Sequence, residues 1–460
     1  MVRLLVLATF VVILNETLMI NAIPRLMESL HVTEQAAQWV STAFMLTMAA
    51  VIPITGWFLQ RVTTRQGYAI AMGVFLAGTA LSAAAPTFTV LLLGRVVQAA
   101  GTAVMMPLLM TTLMTVVPEQ DRGRVMGNVT LAISVAPALG PAVSGLILQL
   151  GSWRLLFVAV LPIAGAVTYF GLRQLENIGE PKVSSIDWFS AAMATLGFGG
   201  LVYGLSLFGE VHVQLGPSIG IALAGVAVIA IFVFRQLKLQ RTGAPLMDLR
   251  ALKHRTFALA LVFLCIAFLA MMGSMMLLPL YLQKLRGLTP LQTGLLLMPG
   301  GLAMGLLGPT VGKLYDRFGS RPLVLPGSIG MVLSLAGFTQ VSTTMPYWQV
   351  LALYGLLMVS LAATFTPMFT LGMGALPPDM YPHGSSILGT LQQVAAALGT
   401  ALVVTVMSAR TGQLMADGTP AAAAQLSGMK LAFVVAAALA VATVVVAALL
   451  PNRTTTPVHA

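Results

Sequence analysis

Charged residues are scarce in this sequence, and their scarcity excludes most water-soluble folds. Only 8% of the 460 residues are charged, whereas 58% are hydrophobic. An ordinary soluble domain carries about 25% charged residues. The sequence therefore predicts a polytopic membrane protein.

Residues that perform covalent or metal chemistry are also few. Cys265 is the single cysteine, so no disulfide can form within the chain. The five histidines fall in predicted loops, where they show neither zinc-ligand spacing nor a nucleophile–base pattern. The segment GPTVGKL (308–314) lacks the glycine spacing of a phosphate-binding loop. We therefore expect no metal, no cofactor and no enzymatic activity.

Apolar runs of helix length fill the chain. A helix needs about 20 mostly apolar residues to cross the hydrocarbon of a bilayer. Fourteen runs qualify, which predicts an all-α membrane protein; the first could pass for a signal peptide, but its internal Asn-Glu argues against that. The runs cover residues 4–24, 37–60, 68–86, 88–117, 124–150, 154–173, 187–208, 214–235, 256–283, 291–312, 322–341, 346–376, 384–408 and 429–451.

The net charge of +11 reflects membrane topology, not nucleic-acid binding. With the N-terminus inside, 17 of the 24 Lys and Arg residues fall in cytoplasmic segments and six fall outside. This positive-inside bias places both termini in the cytoplasm. The densest basic run, 235–255, is predicted to be a solvated cytoplasmic loop that can contact anionic lipid.

Internal repeats divide the chain into two similar halves. Pro107 and Pro118 recur as Pro367 and Pro378, each pair 11 residues apart and offset by 260 residues. The seventh and eighth spans have no counterpart, so they form an insert. The predicted divisions are an N-terminal six-helix half (1–175), a two-helix insert with its basic loop (176–255) and a C-terminal six-helix half (256–460).

The segment APALGPAVSG (136–145) lays small residues along one face of the fifth span. Ala136, Gly140 and Ser144 are spaced four residues apart, so another helix can approach closely there. Two prolines in the same stretch loosen the helix. Ordinary tight packing is the alternative interpretation.

The charged turn GKLYDRFGSRP (312–322) joins the tenth and eleventh spans. Its small and charged residues, which can approach or pair across the helix ends, are Gly312, Asp316, Arg317, Gly319 and Arg321. The earlier copy, 56–67, keeps Arg61 and Arg65 but has Gln60 in place of the acid. A simple tight turn is the alternative to a gating role.

Together with GRVVQAAGTAVMMP (94–107) and PLMDLR (245–250), these motifs resemble the major facilitator superfamily, specifically its fourteen-helix drug:proton antiporter branch. The resemblance covers nearly the whole chain. It implies two six-helix bundles plus two extra helices in a bacterial cytoplasmic membrane. It also implies a sealing and bending role for Gly140, Pro141 and Gly145, and a gating role for the turn 312–322.

Glu16 is the one acidic residue deep within a predicted span, in the stretch VVILNETLMINAIP. A charge at the bilayer centre costs at least about 2.5 kcal/mol, so such residues normally face a bundle interior. Arg95, the only base within a span, shares a helix face with Gln98 and Thr102. A nearby Arg favours ionised Glu16, whereas burial alone favours its neutral form.

Glu16 and Arg95 are therefore the predicted proton-coupling residues. A static buried pair that fixes helix register is the alternative. The family usually has its acid one position earlier, where this chain has Asn15, so the assignment assumes a shift of one residue.

Polar and aromatic residues within the spans are candidates for a substrate cavity, although residues of these kinds more often serve simple helix packing. The candidates are Asn15, Trp39, Phe44, Gln98, Asn128, Tyr354, Gln392 and Gln393. The 28 methionines would suit an adaptable apolar cavity.

The resemblance implies a monomeric proton-driven exporter of amphipathic, often cationic, drugs, with the proton gradient as energy source and membrane lipid as surroundings. A lipid or metabolite exporter, or an uncoupled facilitator, would use the same fold. An intramembrane enzyme or a channel would need clustered His, Asp or Cys residues or rings of pore-lining groups. Neither pattern is visible in the sequence.

Overall fold

The computed structural model describes residues 1–178, 186–209, 215–241 and 245–452, and these contain fifteen α-helices and no strand. The helices are α1 (Val2–Leu18), α2 (Ile23–Leu30), α3 (Glu34–Arg61), α4 (Thr64–Ala83), α5 (Phe88–Val116), α6 (Arg122–Gln149), α7 (Arg154–Gln174), α8 (Trp188–Ser206), α9 (Leu215–Leu239), α10 (Arg255–Leu280), α11 (Pro290–Phe318), α12 (Arg321–Phe338), α13 (Tyr347–Gly374), α14 (Tyr381–Ala416) and α15 (Ala421–Leu449).

Thirteen of the described helices are long and apolar enough to cross a membrane. The bent pair α1 and α2, at an angle of 60°, supplies a fourteenth span if it is counted as one. Pro24 lies in the first turn of α2, a position where its missing N–H breaks no helical hydrogen bond. The predicted all-α membrane fold is confirmed, and its first span is bent.

The helices pack in two groups. In the first group, α1 contacts α5, α6 and α7, while α4 contacts α5 and α7. In the second group, α10 contacts α13, α14 and α15, while α12 contacts α13 and α15. The groups meet mainly along two seams, α6 against α11 and α3 against α14. The division of the chain at residues 175 and 255 stays a prediction.

Glycines bring the backbones of α6 and α11 into direct contact. A Cβ atom added to Gly127 would collide with the backbone of Gly308, and one added to Gly312 would collide with the backbone of Gly123. No side chain fits between the helices here. In lipid the hydrophobic effect does not drive helices together, so the van der Waals contacts made by such close approach stabilise their association.

The α6–α11 contact runs from one end of the bundle to about the middle of α11 and does not continue beyond it. A Cβ atom on Gly301 would still lie 3.0 Å from the side chain of Ala138, whereas one on Gly145 or Gly294 would meet nothing within 4 Å. The two helices therefore separate as they run from residues 123 and 312 toward residues 145 and 294. We call the end where they touch the closed end.

Polar contacts join both seams at the closed end. The Asp316 carboxylate accepts hydrogen bonds from the backbone amides of Gly123 and Arg124, at 2.8 Å each. At the other seam, Ser386 Oγ donates to the carbonyl of Ile52 at 2.8 Å. Both contacts connect a helix of one group with a helix of the other, so they hold the two groups together at this end.

The insert helices α8 and α9 cover the α3–α14 seam. Helix α8 contacts both α3 and α14, and the ring of Tyr203 lies 5.6 Å from that of Trp39 on α3. Helix α9 packs mainly against α8. The insert therefore closes one of the two seams to the surrounding lipid.

A cluster of polar side chains joins the two insert helices to each other near the closed end. Asp187, just before α8, accepts hydrogen bonds from Arg235 Nε at 2.7 Å and Arg235 Nη2 at 3.0 Å. Ser190 Oγ donates to the same carboxylate at 2.6 Å. Gln236 then donates to Ser190 at 2.8 Å and accepts from the amide of Leu246 at 2.8 Å. The cluster fixes α8, α9 and the PLMDLR segment relative to one another.

We expect Gly312→Ala to destabilise the closed end, because its methyl group would collide with the backbone of Gly123. Overpacking of this kind typically costs about 1–3 kcal/mol. Gly294→Ala, on the same helix but in open space, is the matched control. Thermal unfolding in detergent should show a lower Tm for Gly312→Ala alone, and equal Tm values for the two variants would contradict the proposed contact.

Asp187→Asn should weaken the insert in a pH-dependent way. Hydrogen bonds from Arg235, followed by those from Ser190, overcome burial and lower the pKa of Asp187 from 3.8 to about 2. Because the pKa is depressed in the folded state, this stabilisation is full above about pH 4 and is lost as the pH falls toward 2. The Tm difference between wild type and variant should therefore shrink over that range; a constant difference would refute the ionic contribution.

Candidate functional site

Arg95 lies fully inside the first helix group, with 1% of its surface exposed. Its Nε donates to the carbonyl of Val40 at 3.3 Å, and its Nη1 donates to Gln98 Oε1 at 2.6 Å. Its guanidinium carbon lies 4.2 Å from the ring centroid of Phe44. A backbone carbonyl, an amide and an aromatic ring, all neutral groups, therefore hold this cation.

The polar face of α5 is enclosed along its length. Arg95, Gln98 and Thr102 are all buried, and Gln98 Nε2 donates to Thr79 on α4 at 2.7 Å. Thr102 Oγ1 donates to the backbone carbonyl of Gln98 at 3.0 Å. The sequence spacing thus placed these three side chains on one face, and α4 supplies a further partner that the spacing did not indicate.

Glu16 lies on α1, close enough to Arg95 for the two charges to interact. Among the ion pairs of the described residues, however, none joins the two side chains within 4.0 Å. The Glu16 side chain is half-buried, whereas Arg95 is fully buried. In this conformation, therefore, they are neighbours and not a closed salt bridge.

Asn15 adds an unused acceptor beside Glu16. It is 2% exposed, and its Oδ1 has no hydrogen-bond partner among the described residues. Leaving a buried polar atom unpaired costs about 1–3 kcal/mol. The hydrogen-bonding capacity of Asn15 Oδ1 is therefore unmet in this conformation, in which the atom is shielded from solvent.

The groove of small residues on α6 receives α1 next to Glu16. A Cβ atom on Gly140 would collide with the side chain of Thr17, whose Oγ1 donates to the carbonyl of Leu14 at 2.9 Å and lies 3.4 Å from the carbonyl of Ala136. Ser144 is buried, while a Cβ atom on Gly145 would have open space. The side chain of Pro141 is outside the described part of the structure. The groove thus fixes the helix that carries the predicted proton site.

The structure gathers only some of the predicted cavity residues around Arg95. Phe44 and Gln98 contact it directly, whereas Trp39 packs on the insert. Tyr354 is buried on α13, where it would meet a Cβ atom added to Gly300 of α11. The remaining three differ in exposure: Asn128 is exposed, while Gln392 and Gln393 are half-buried on α14.

The predicted gating residues occupy the closed end. Asp316 binds the N-terminus of α6, and Gly319 has a φ of +85°, a conformation that favours glycine. Arg321 Nε donates to the carbonyl of Leu450 at 3.0 Å, which secures the end of α15. The guanidinium of Arg317 lies over the ring of Phe318.

The first-half copy of the turn makes weaker contacts. Gln60 donates to the backbone carbonyl of Asp379 at 3.3 Å, a neutral contact at the α3–α14 seam. The guanidinium of Arg61 lies over the ring of Trp57, while Arg65 is exposed at the start of α4. The sequence motifs did not identify Gly123 and Arg124 as partners of Asp316. The four-residue spacing of Gly123 and Gly127, which matches Gly308 and Gly312, was the available signal.

Comparisons with known proteins agree with this architecture. The family model described as Major Facilitator Superfamily matches residues 5–400. The chain is 38% identical over 439 residues to the uncharacterized MFS-type transporter YcnB of Bacillus subtilis, covering 95% of this chain and 92% of that protein.

An antibiotic-resistance protein and a solved transporter are also similar. The lincomycin resistance protein LmrB of Listeria monocytogenes is 37% identical over 402 residues, covering 87% of this chain and 85% of that protein. The crystal structure of the human organic anion transporter MFSD10 superposes with a TM-score of 0.68 at 16% identity, covering 97% of this chain and 98% of the other. The matched family, the relatives and the shared fold agree, so this chain belongs to the major facilitator superfamily and is a membrane transporter, not an enzyme.

Proposed function

We propose that this transporter is a proton-coupled antiporter that exports amphipathic, often cationic, compounds. The observation that carries the proposal is the arrangement of Glu16 and Arg95, an acid and a base that interact inside the helix bundle without closing a salt bridge. Such a carboxylate can change between its neutral and ionised forms when the position of Arg95 or of a bound cation changes.

In the proposed cycle, proton and substrate compete for Glu16. When the site faces outward, Glu16 takes up a proton down the gradient. When the site faces inward, the proton leaves and the carboxylate attracts a cationic substrate. Because the exchange uses the proton gradient directly, we propose that it needs no cofactor and that the protein works as a monomer in lipid.

The chemistry around Glu16 supports a substrate with both apolar and polar parts. Apolar residues make up most of the surrounding helices, and Asn15 Oδ1 is an unpaired acceptor that a substrate would reach once the helices around it move. Apolar contact supplies most of the affinity in such sites, while a few polar groups set orientation. One relative is named a lincomycin resistance protein, and this name supports export of antibiotics as the biological role.

We further propose that the closed end faces the cytoplasm of a bacterial cell. Of the 17 Lys and Arg residues predicted to be cytoplasmic, those at 61–65, 122–124 and 313–321 lie at helix ends on this side, and the positive-inside rule favours it as the cytoplasmic face. With this orientation, the separated ends of α6 and α11 face outward. The conformation described here would then be the one that releases substrate and accepts protons.

The turn 312–322 acts as the gate in this proposal. Asp316→Asn should slow transport about tenfold, because the neutral amide binds the two backbone amides of α6 less strongly than a carboxylate does. Gln60→Ala, which loses one neutral contact at the other seam, should slow it less than about twofold. Uptake rates in proteoliposomes measure both variants, and equal losses would remove the asymmetry between the turns.

Glu16→Gln should abolish transport driven by a pH gradient, because the amide cannot exchange a proton. Binding of the cation tetraphenylphosphonium should weaken about tenfold, since one attractive charge is lost. Binding of a neutral apolar substrate and the Tm should change little, because the amide keeps its hydrogen-bonding capacity. Proteoliposomes with an imposed pH gradient provide the transport assay; wild-type uphill export by the variant would place the coupling site elsewhere.

A further inference from the structure

We infer that Phe44 is a positioning residue that holds Arg95 away from Glu16 and thereby sets the pH range in which the transporter works. The inference rests on the proposed proton coupling through Glu16. It concerns the neutral groups that bind Arg95, which the proton cycle itself does not explain.

The contacts of Arg95 with α3 form a two-part cradle. Val40 and Phe44 are four residues apart, so both lie on the face of α3 that meets α5. The Val40 carbonyl accepts from Nε at 3.3 Å, and the Phe44 ring faces the guanidinium at 4.2 Å. Phe44 itself is only 1% exposed. Cation–π contacts are strongest at desolvated sites of this kind.

The cradle restrains Arg95 without neutralising it. The carbonyl and the ring are uncharged, so the full positive charge remains available to act on Glu16 from a distance. If the ring were lost, Arg95 could move toward the carboxylate, and the ionised form of Glu16 would gain stability. Phe44 therefore keeps Glu16 able to take up a proton.

The surroundings of Glu16 and Arg95 contain few other charged groups that could act on the Glu16 carboxylate. Helices α1, α3, α4, α6, α7 and α14 pack around Glu16 and Arg95. Besides Glu16 and Arg95, their titratable and charged residues are Arg3, Glu34, Arg61, Arg65, Tyr68, Arg122, Arg124, Arg154, Tyr169, Arg173, Tyr381, His383 and Arg410. Among the described side chains, Arg95 is the charged group that acts on Glu16, and Glu16 is the one that acts on Arg95.

The cradle also connects the proton site to the state of the gate. Helix α3 carries Phe44 and, about two turns further on, Ile52, whose carbonyl accepts the hydrogen bond from Ser386 of α14. When the α3–α14 seam rearranges, α3 moves Phe44 relative to Arg95. The proton affinity of Glu16 then depends on which end of the transporter is closed.

The test compares substitutions at Phe44 with an equally buried control. Phe44→Leu and the more volume-conserving Phe44→Met both remove the aromatic ring, while Phe44→Tyr retains it. Phe75→Leu, on α4, removes a fully buried ring that makes no cation–π contact among the described residues. The assay measures export of tetraphenylphosphonium in proteoliposomes as a function of pH.

We expect the pH optimum of Phe44→Leu and Phe44→Met to shift by about one unit to lower pH, since an ionised Glu16 must be protonated against a closer Arg95. Phe44→Tyr should restore the wild-type optimum. Phe75→Leu should keep that optimum even if its rate falls. Proton release on tetraphenylphosphonium binding can be measured in detergent and gives the same comparison without transport. This measurement therefore also tests a variant that reconstitutes poorly into liposomes.

Wild-type pH optima for both Phe44→Leu and Phe44→Met would overturn the inference, as would an identical shift in Phe75→Leu. These outcomes are distinct from failure of the proposed function. If the wild-type protein shows no export driven by a pH gradient, proton coupling is wrong and the role of Phe44 falls with it. If wild type is coupled and only the Phe44 comparison fails, the coupling stands and the cradle is purely structural.

Discussion

The backbone contact between α6 and α11 is the constraint on which the rest of this structure depends. In lipid, apolar surface gives helices no strong reason to associate, so close approach and polar contacts must hold the two groups. Gly123, Gly127, Gly308 and Gly312 provide that approach, and Asp316 adds hydrogen bonds to the first amides of α6. Because both act at one end, they determine which end of the transporter is closed.

The same helix α6 connects the gate to the proton site. Its first turn binds Asp316, and its small-residue groove receives Thr17 of α1, the residue after Glu16. A change in the tilt of α6 therefore reaches both regions. On the opposite side, α3 connects the second seam to Arg95 through Val40 and Phe44. Thus α3 contacts Arg95 itself, and α6 contacts α1 at the residue next to Glu16.

The insert gives the two seams different surroundings. Helix α8 of the insert covers α3 and α14, while the insert makes no comparable contact with α6 or α11 in the described part of the chain. The polar cluster of Asp187, Ser190, Arg235 and Gln236 keeps the insert and the PLMDLR segment together. This cluster explains why charged and amide residues occur at the ends of helices that are otherwise almost wholly apolar.

Hydropathy alone determined the number of spans and the helical fold, because the length of an apolar run is a local property and the bilayer sets its minimum. Helical periodicity also placed Arg95, Gln98 and Thr102 on one face. Tertiary structure decided what each side chain meets: Arg95 binds α3 instead of closing on Glu16, Trp39 joins the insert, and Asn128 is exposed. These outcomes depend on how each helix is rotated and tilted against its neighbours, which residue spacing within a single helix does not specify.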